Sequence, residues 1–296
     1  MGERGNIFVL GHGYSGKTVT RRLLARGWQA AGSSRTPSDG AFRVAAPQDL
    51  APGTPAAQAL LQATHLLHSI PPGPDGDSVL APVARLLDGK HRVQWIGYLS
   101  TTGVYGDRDG GWVDETTPTQ PNNARGERRV TAERQWLALG ARQGIATQVF
   151  RLAGIYGPGR SALDDVREST ARRVLKPGHD FSRIHVEDIA QTVLASIAQP
   201  RAGAIYNVCD DEPAPSADVT AYACKLLGVE PPPLIPFAQI EASLSPMARE
   251  FWSANRKVRN DKIKRELGVA LQYPNYRVGL EAIFATMSVN RSMSEG

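Results

Sequence analysis

A glycine-rich stretch near the start of the chain, Gly-His-Gly-Tyr-Ser-Gly-Lys-Thr at positions 11–18, constrains the fold more than any other feature. It matches two phosphate-binding patterns at once, G-x-G-x-x-G and G-x-x-x-x-G-K-[ST]. Both patterns set backbone N–H groups and a helix N-terminus against a phosphate, and both need glycine where the backbone approaches the anion. The first is typical of dinucleotide-binding folds and the second of P-loop nucleotidases, so the surrounding sequence must distinguish them.

The flanking segments favour the dinucleotide interpretation. The apolar run 7–10 predicts a buried parallel strand before the glycines, and Val19, Leu23 and Leu24 have helical spacing after them. A P-loop enzyme also needs a strand that ends in an Asp for magnesium, and no strand predicted from this sequence ends in one. The nucleotidase alternative therefore rests on Gly16-Lys17-Thr18 alone.

The residues after the second predicted strand indicate which dinucleotide is bound. This strand lies around 28–31 and leads into Gly32-Ser33-Ser34-Arg35, where NAD-specific sites usually carry an acidic residue for the ribose 2′-hydroxyl. Arg35 can instead make a two-point, charge-assisted contact with a 2′-phosphate. We therefore predict NADP(H) in preference to NAD(H). The predicted cofactor-binding residues are Gly11, Gly13, Tyr14, Ser15, Gly16, Ser34, Arg35 and Ser69.

Strand and helix signals alternate along the chain, which is the pattern of a parallel sheet with helical crossovers. We predict an α/β fold in which a Rossmann-type doubly wound parallel sheet of six strands carries a smaller C-terminal substrate lobe. The predicted division is 1–155 for the nucleotide-binding domain, 156–288 for the substrate lobe and 289–296 for a flexible tail. An exchange of elements between lobe and sheet is compatible with this division.

The composition indicates a globular protein of enzyme size with neither nucleic acid nor membrane as a partner. The 296 residues carry a net charge of +5, but the densest basic group, at 256–265, is interleaved with apolar helix positions. No charged-then-apolar leader is evident, and no apolar run approaches the roughly 18 residues of a membrane span. Cys209 and Cys224 form no metal or redox motif. We expect a cytoplasmic protein with a small-molecule substrate and no metal, and a homodimer stays open.

Four further segments carry a family resemblance. They are 99–106 (LSTTGVYG), 151–159 (RLAGIYGPG), 184–190 (IHVEDIA) and 206–208 (YNV). With the glycine loop they resemble an extended short-chain dehydrogenase/reductase of the NAD-dependent epimerase/dehydratase superfamily, and within it an atypical bacterial group of YeeZ-like proteins. The resemblance extends over residues 6–285.

The resemblance implies roles for residues near the end of the strand predicted at 93–100. In relatives a Ser or Thr holds the reacting oxygen, and Thr101 matches that position. Relatives then carry a Tyr as general acid/base, a Lys four positions later that lowers the Tyr pKa and holds the nicotinamide ribose, and a Glu four positions after that. With Glu133 matched to this Glu, Arg129 stands at the Lys position and Arg125 at the Tyr position. Arginine does not release its proton at accessible pH, so the departure removes the usual proton shuttle.

Other groups could supply a proton, namely Tyr105, Tyr156, His185 and Glu115, but only their location recommends them. We expect Tyr105 and Tyr156 to pack within their turns. We expect His185 to help cap the helix that follows it.

Several residues are candidates for substrate contact. Positions 125, 129 and 133 share one helix face, so Arg125 and Arg129 are expected to contact a ligand, with a solvated helix face as the alternative. By the resemblance, Arg151, Tyr156 and Arg160 lie where relatives bind substrate, with loop salt bridges and packing as alternatives. The sequence thus predicts oxidoreductase or epimerase chemistry on a small metabolite, for which the arginines make an anion plausible. The alternative is a non-catalytic dinucleotide-binding redox sensor or regulatory protein.

Overall fold

The computed structural model describes residues 5–36, 41–245, 249 and 252–294, with side chains described as far as residue 287. The strands in these residues are β1 (Asn6–Leu10), β2 (Gln29–Ser34), β3 (Phe42–Arg43), β4 (His65–His68), β5 (Trp95–Thr101), β6 (Trp112–Val113), β7 (Ala146–Leu152), β8 (Gly154–Tyr156), β9 (Arg173–Leu175), β10 (Arg183–His185), β11 (Ile205–Val208), β12 (Leu234–Pro236) and β13 (Lys257–Val258). The helices are α1 (Tyr14–Leu24), α2 (Pro55–Gln62), α3 (Leu80–Leu87), α4 (Ala124–Gln143), α5 (Ala162–Arg167), α6 (Val186–Ala198), α7 (Ser216–Leu227), α8 (Phe237–Ile240), α9 (Asp261–Leu267) and α10 (Tyr276–Ser294).

Seven strands form one parallel sheet in the order β11-β7-β5-β4-β1-β2-β3. The chain begins in the middle of the sheet, passes through β2 and β3 on one side, and then builds the other side from β4 outward. The predicted doubly wound Rossmann-type fold is thus confirmed, with seven strands rather than six. The strand order reverses between β1 and β4, and folds of this kind bind ligands in the crevice outside the carboxyl ends at that point.

The central strand shows how the sheet buries both of its faces. Ile7 and Val9 of β1 pack in the apolar cluster that contains residues of α1 and α6. Phe8 and Leu10 pack in the opposite cluster, which contains residues of α2, α3 and α4. All four side chains are fully buried. Because helices cover both faces, every position of the strand must be apolar, which explains the continuous run in the sequence.

The second half of the chain contributes to both the sheet and a smaller lobe. β11 forms the edge of the sheet beside β7, α6 packs against α1, and α9 packs against β11. The lobe itself is formed by α5, α7 and α10 around a separate apolar cluster that includes Tyr156 and Leu280. Elements from both sides of the predicted 155/156 boundary therefore build the sheet region.

Two short strand pairs connect the lobe to the carboxyl edge of the sheet. β8 follows directly after β7 and pairs with β10. β6 lies between β5 and α4 and pairs with β13 from far along the chain. These pairings bring residues near β10 and β13 to the end of β5, where Thr101 lies.

The last helix covers most of the segment predicted as a tail. α10 extends to Ser294, and residues 295 and 296 lie outside the described residues. Within the described part of the chain, no helix is long and apolar enough to cross a membrane.

Candidate dinucleotide and substrate site

The three glycines of the loop after β1 occupy three different environments. Gly11 has φ +87°, and a Cβ there would lie 2.8 Å from the Ser69 Oγ, so the tight turn requires glycine. A Cβ on Gly16 would lie 2.9 Å from both the Gly11 carbonyl oxygen and a Val9 methyl, because α1 packs closely against β1. A Cβ on Gly13 would have no atom within 4 Å. The space above Gly13, at the N-terminus of α1, is thus open to an incoming group.

Hydrogen bonds fix this loop to the neighbouring strands. The Ser69 hydroxyl donates to the Gly11 carbonyl (2.6 Å), and the Gly11 N–H donates to the Ser33 hydroxyl (3.3 Å). The His12 N–H donates to the Ser33 carbonyl at 2.6 Å. Ser69, which directly follows β4 and is predicted to contact the cofactor, therefore holds the glycine loop in place.

The structure also bears on the P-loop alternative. The Thr18 hydroxyl donates to the Tyr14 carbonyl at 3.1 Å and is largely buried in α1. A P-loop hydroxyl must instead face a metal ion at the phosphates. The geometry of Thr18 therefore favours the dinucleotide interpretation.

Ser34 and Arg35 lie at the carboxyl end of β2, as the ribose-reading position requires. Ser34 is partly buried and Arg35 is exposed. Arg43 of β3 is the register partner of Ser34 and is also exposed, so a second guanidinium lies at the same strand end. No pattern in the sequence identifies Arg43, because a two-residue strand cannot be paired from its pattern alone.

A cavity of about 490 Å³ opens beyond the carboxyl ends of β5 and β7. Its size is within the range of small-molecule sites. The structure brings four of the predicted residues together on its walls, and these are Thr101, Arg125, Arg129 and Arg160. Arg256, just before β13, also lines it, and the sequence analysis did not identify this residue as a site residue.

Thr101 ends β5 and begins a single 3-10 turn. Its hydroxyl oxygen accepts a hydrogen bond from the Gly103 N–H at 3.0 Å. This bond fixes the side-chain rotamer and leaves the hydroxyl proton available to a ligand. Thr101 is therefore placed to orient an oxygen in the cavity.

Arg125 and Arg129 lie one turn apart on α4 and both face the cavity. Arg125 is exposed and makes no hydrogen bond within the described residues. Arg129 is partly buried, and its Nη1 donates to the Leu99 carbonyl at 2.9 Å and more weakly to the Tyr98 hydroxyl at 3.3 Å. Neither guanidinium forms an ion pair with a carboxylate of the described residues. The two arginines thus line one cavity, and their contact with a ligand stays a prediction.

Glu133, on the next turn, faces the protein interior instead. It is 3% exposed and accepts a hydrogen bond from the Ser100 hydroxyl at 2.6 Å. Arg151, 4% exposed, binds it through Nη2 at 2.8 Å and Nε at 3.2 Å. The remaining Nη1 of Arg151 donates to the Tyr105 hydroxyl at 3.0 Å. Burial alone lowers the pKa of Arg151, but the hydrogen bonds and charge of Glu133 outweigh it and raise that pKa.

The expectation that Arg151 contacts substrate therefore needs correction. Its guanidinium is buried against Glu133 and Tyr105 and does not line the cavity. The geometry favours a structural role. The pattern around residue 151 could not reveal this, because its partner Glu133 comes from another element.

Tyr156 lines a second chamber of about 540 Å³ that adjoins the first. It is 8% exposed, its hydroxyl donates weakly to the Asn275 carbonyl at 3.4 Å, and burial raises its pKa. Five residues line both chambers, and these are Gly154, Ile155, Arg160, Phe181 and Ser182. Arg160 thus stands between the two, with its guanidinium 5.8 Å from the ring centre of Tyr14 in the glycine loop.

The other residues considered as proton donors are engaged elsewhere. The buried Tyr105 hydroxyl donates to Asn207 Oδ1 at 2.7 Å. The Glu115 carboxylate accepts from the Asn207 N–H at 2.7 Å. His185 caps α6 as expected, because its Nδ1 accepts from the Glu187 N–H at 3.2 Å. None of the three lines the cavity that holds Thr101.

Comparison with known proteins identifies relatives over nearly the whole chain. The model of the NAD dependent epimerase/dehydratase family matches residues 76–209. Protein YeeZ of Escherichia coli (strain K12) is 31% identical over 287 residues, which cover 91% of this chain and 96% of YeeZ. A functionally unknown conserved protein from Silicibacter pomeroyi has a solved structure with a TM-score of 0.83 and 48% identity, covering 96% of this chain and 99% of its own.

More distant structures share the fold. Human epimerase family protein SDR39U1, solved with NADPH, has a TM-score of 0.73 at 18% identity and covers 95% of this chain and 99% of its own. Other solved structures of similar TM-score are complexes with NAD.

Proposed function

Because this chain belongs to the NAD-dependent epimerase/dehydratase family, we propose that it binds NADP(H) and carries out oxidoreductase or epimerase chemistry on a small anionic metabolite. The observation that carries the proposal is the placement of Thr101 and four arginines around one cavity at the carboxyl edge of the sheet. In doubly wound folds this edge is where cofactor and substrate meet.

The glycine loop fits the pyrophosphate of a dinucleotide. The space above Gly13 is open, the N–H groups that begin α1 face it, and the first turn of α1 carries no acidic residue to repel a phosphate. Arg35, supported by Ser34 and Arg43, supplies charge for a 2′-phosphate, and this favours NADP(H) over NAD(H). When bound, the nicotinamide would supply two-electron redox chemistry.

The proposed roles of the cavity residues follow from their chemistry. Thr101 orients an oxygen of the substrate, Arg129 contacts the nicotinamide ribose or the substrate, and Arg125 attracts negative charge. Arginine remains protonated, so these residues stabilise an oxyanion but do not exchange protons with it. Among the described residues that line this cavity there is no Tyr, His, Lys or Cys, and the one carboxylate, Asp180, is 3.5 Å from the Lys257 ammonium. Any proton required by the reaction would come from water or from the substrate.

The same observation supports a second candidate, a protein that binds the dinucleotide without turnover. A redox sensor needs the glycine loop and Arg35 but no proton donor near Thr101. The two candidates differ in whether a hydride is transferred between the cofactor and a metabolite.

Incubation with NADPH carrying deuterium at C4, in separate samples for each face of the ring, tests the proposal. A bacterial metabolite extract supplies candidate substrates, and mass spectrometry detects the label. We expect deuterium to be transferred from one face of the nicotinamide ring only. We expect no transfer with a Gly13→Val variant that has lost cofactor binding. Absence of transfer from folded, NADPH-bound protein across such an extract would contradict reductase turnover and leave epimerase chemistry, which starts from NADP⁺, or the non-catalytic alternative.

A further inference from the structure

Arg256 lies furthest along the chain of the four arginines that line the cavity. It precedes β13 and bridges to Phe181, which lies just before β10. Its Nη1 donates to the Gly106 carbonyl at 2.9 Å, so the side chain is held across the loop that follows Thr101. The side chain is therefore fixed in place, at a distance in sequence from every motif of the family resemblance.

The charge of Arg256 is poorly compensated. Its buried Nε has no hydrogen-bond partner among the described residues, and no described carboxylate forms an ion pair with it. The charge of the Asp107 carboxylate raises the pKa of Arg256, but the Asp107 Oδ1 already accepts from the Asn255 and Asp109 N–H groups. Burial lowers the pKa of Arg256 to about 10, which is the expected response of a guanidinium without a close counter-ion.

Arg256 adds to a cavity that is already positive. Arg125, Arg129 and Arg160 share its walls, and none of these forms an ion pair with a described carboxylate. A buried cation without a partner is costly, and such sites are commonly completed by a ligand of opposite charge. The guanidinium fork matches carboxylate and phosphate oxygens equally well.

The adjoining chamber is less positive, because three carboxylates line it beside Arg160 and Arg183. Asp164, Asp165 and Glu168 line it, and burial together with the charges of Asp164 and Glu168 raises the pKa of the Asp165 carboxyl. Repulsion by these carboxylates disfavours an anion there. An anionic group that enters the joined chambers is therefore directed to the side of Arg256.

We propose that Arg256 from the lobe and Arg125 with Arg129 from α4 form one oxyanion site, which receives the carboxylate or phosphate group of the substrate. The identification of the occupant as substrate rests on the proposed function, but the binding of an oxyanion does not. The ligand then spans both lobes, with its anionic end beside Thr101 and its uncharged end toward the second chamber.

The test is a calorimetric titration with inorganic phosphate and, separately, with malonate, at an ionic strength held constant with sodium chloride. Protein saturated with NADP⁺ is used first, so that the glycine loop is not available to the probe. The titration is repeated with Gly13→Val protein, whose loop is blocked without any cofactor. This second titration reports on the oxyanion site even if the chain fails to bind NADP⁺. Failure of the oxyanion site can therefore be distinguished from failure of cofactor binding.

We expect Arg256→Met to lower the affinity for the more tightly bound of the two probes by about tenfold or more, since a charge-assisted fork is lost. Arg134→Met, on the exposed side of α4, changes net charge equally and should leave the affinity within about twofold. If Arg256→Met does not fold, Arg256→Lys keeps a cation but loses the fork, and a loss of about threefold or more is expected. Preference for malonate over phosphate identifies a carboxylate substrate, and the reverse preference a phosphorylated one. No binding above the chloride background, or equal affinity in wild type and the Arg256 variants, would overturn the proposal.

Discussion

The guanidinium of Arg151 and the carboxylate of Glu133 form a buried ion pair directly behind the cavity, with 2.8 Å between Nη2 and Oε2. We expect Arg151→Met to lower the free energy of unfolding by about 3–5 kcal/mol, because the Glu133 charge is left buried without its partner. Urea denaturation measures this. The double change Arg151→Met with Glu133→Gln should recover part of the loss, since the neutral amide can still accept from Ser100.

Arg134→Met is the matched control for that experiment, because it removes an exposed arginine, and it should change stability by less than about 0.5 kcal/mol. A loss for Arg151→Met no larger than the loss for Arg134→Met would mean that the pair is not formed.

The glycine loop offers two substitutions with opposite consequences. Gly13→Val should leave the free energy of unfolding within about 1 kcal/mol of wild type, because a Cβ there has no protein atom within 4 Å. It should weaken NADPH binding by about tenfold or more, since the side chain occupies the space of the pyrophosphate.

Gly16→Val should instead destabilise the fold by about 2 kcal/mol or more, because its side chain meets the Gly11 carbonyl and Val9 at 2.9 Å. Thermal melts and fluorescence titration with NADPH separate the two effects. Full NADPH affinity in a folded Gly13→Val protein would reject the site.

The arginines at the Tyr and Lys positions should differ in effect. We expect Arg129→Met to weaken NADPH binding by about fivefold to tenfold, because Arg129 corresponds to the ribose-contacting Lys of the relatives. Arg125→Met should have a smaller effect, since Arg125 is exposed and fixed by no hydrogen bond within the described residues. The affinities of both variants for NADPH are measured by calorimetry, with Arg134→Met as the reference. Affinities for both variants equal to that of the reference would support a merely solvated helix face.

Thr101 tests whether the cavity is catalytic. Thr101→Val keeps the shape but removes the hydroxyl, so label transfer to the true substrate should fall by about a hundredfold or more. The Gly103 N–H also loses its acceptor, at a cost of about 1 kcal/mol in stability. Thr101→Ser retains the hydroxyl and should retain most of the turnover. Equal rates for the valine variant and wild type would remove Thr101 from the mechanism.

Local signals in the sequence predicted the regular elements well. The ends of α4 and α7 are marked by signals in the sequence itself. The Asn123 side chain accepts from the Gly126 N–H at 2.9 Å at the start of α4, and Gly144 and Gly228 end the two helices with positive φ. The glycine loop and the cluster of Thr101, Arg125 and Arg129 were predictable for the same reason, since motif and helix spacing determine them.

Features that depend on contacts between distant parts of the chain could not be predicted from the sequence. β11 overlaps the family motif at 206–208, but the sequence pattern does not show that this strand joins the sheet beside β7. Arg151 lies next to a family motif, and only the approach of Glu133 from α4 shows why it is buried. Arg256 lies in no motif, and the two-residue pairing of β6 with β13 that carries it to the cavity leaves no periodic signal.

The proposed binding of NADP(H) is tested by the affinities of the wild-type protein for NADPH and for NADH, determined side by side by calorimetry. Because Arg35 offers a fork to the 2′-phosphate, NADPH should bind more tightly by about 1–3 kcal/mol. Arg35→Asp should reverse this order, since a carboxylate accepts from the free 2′-hydroxyl and repels the phosphate. Equal affinities in the wild-type protein would mean that Arg35 does not select the 2′-phosphate, and no binding of either dinucleotide would mean that the glycine loop is not a cofactor site.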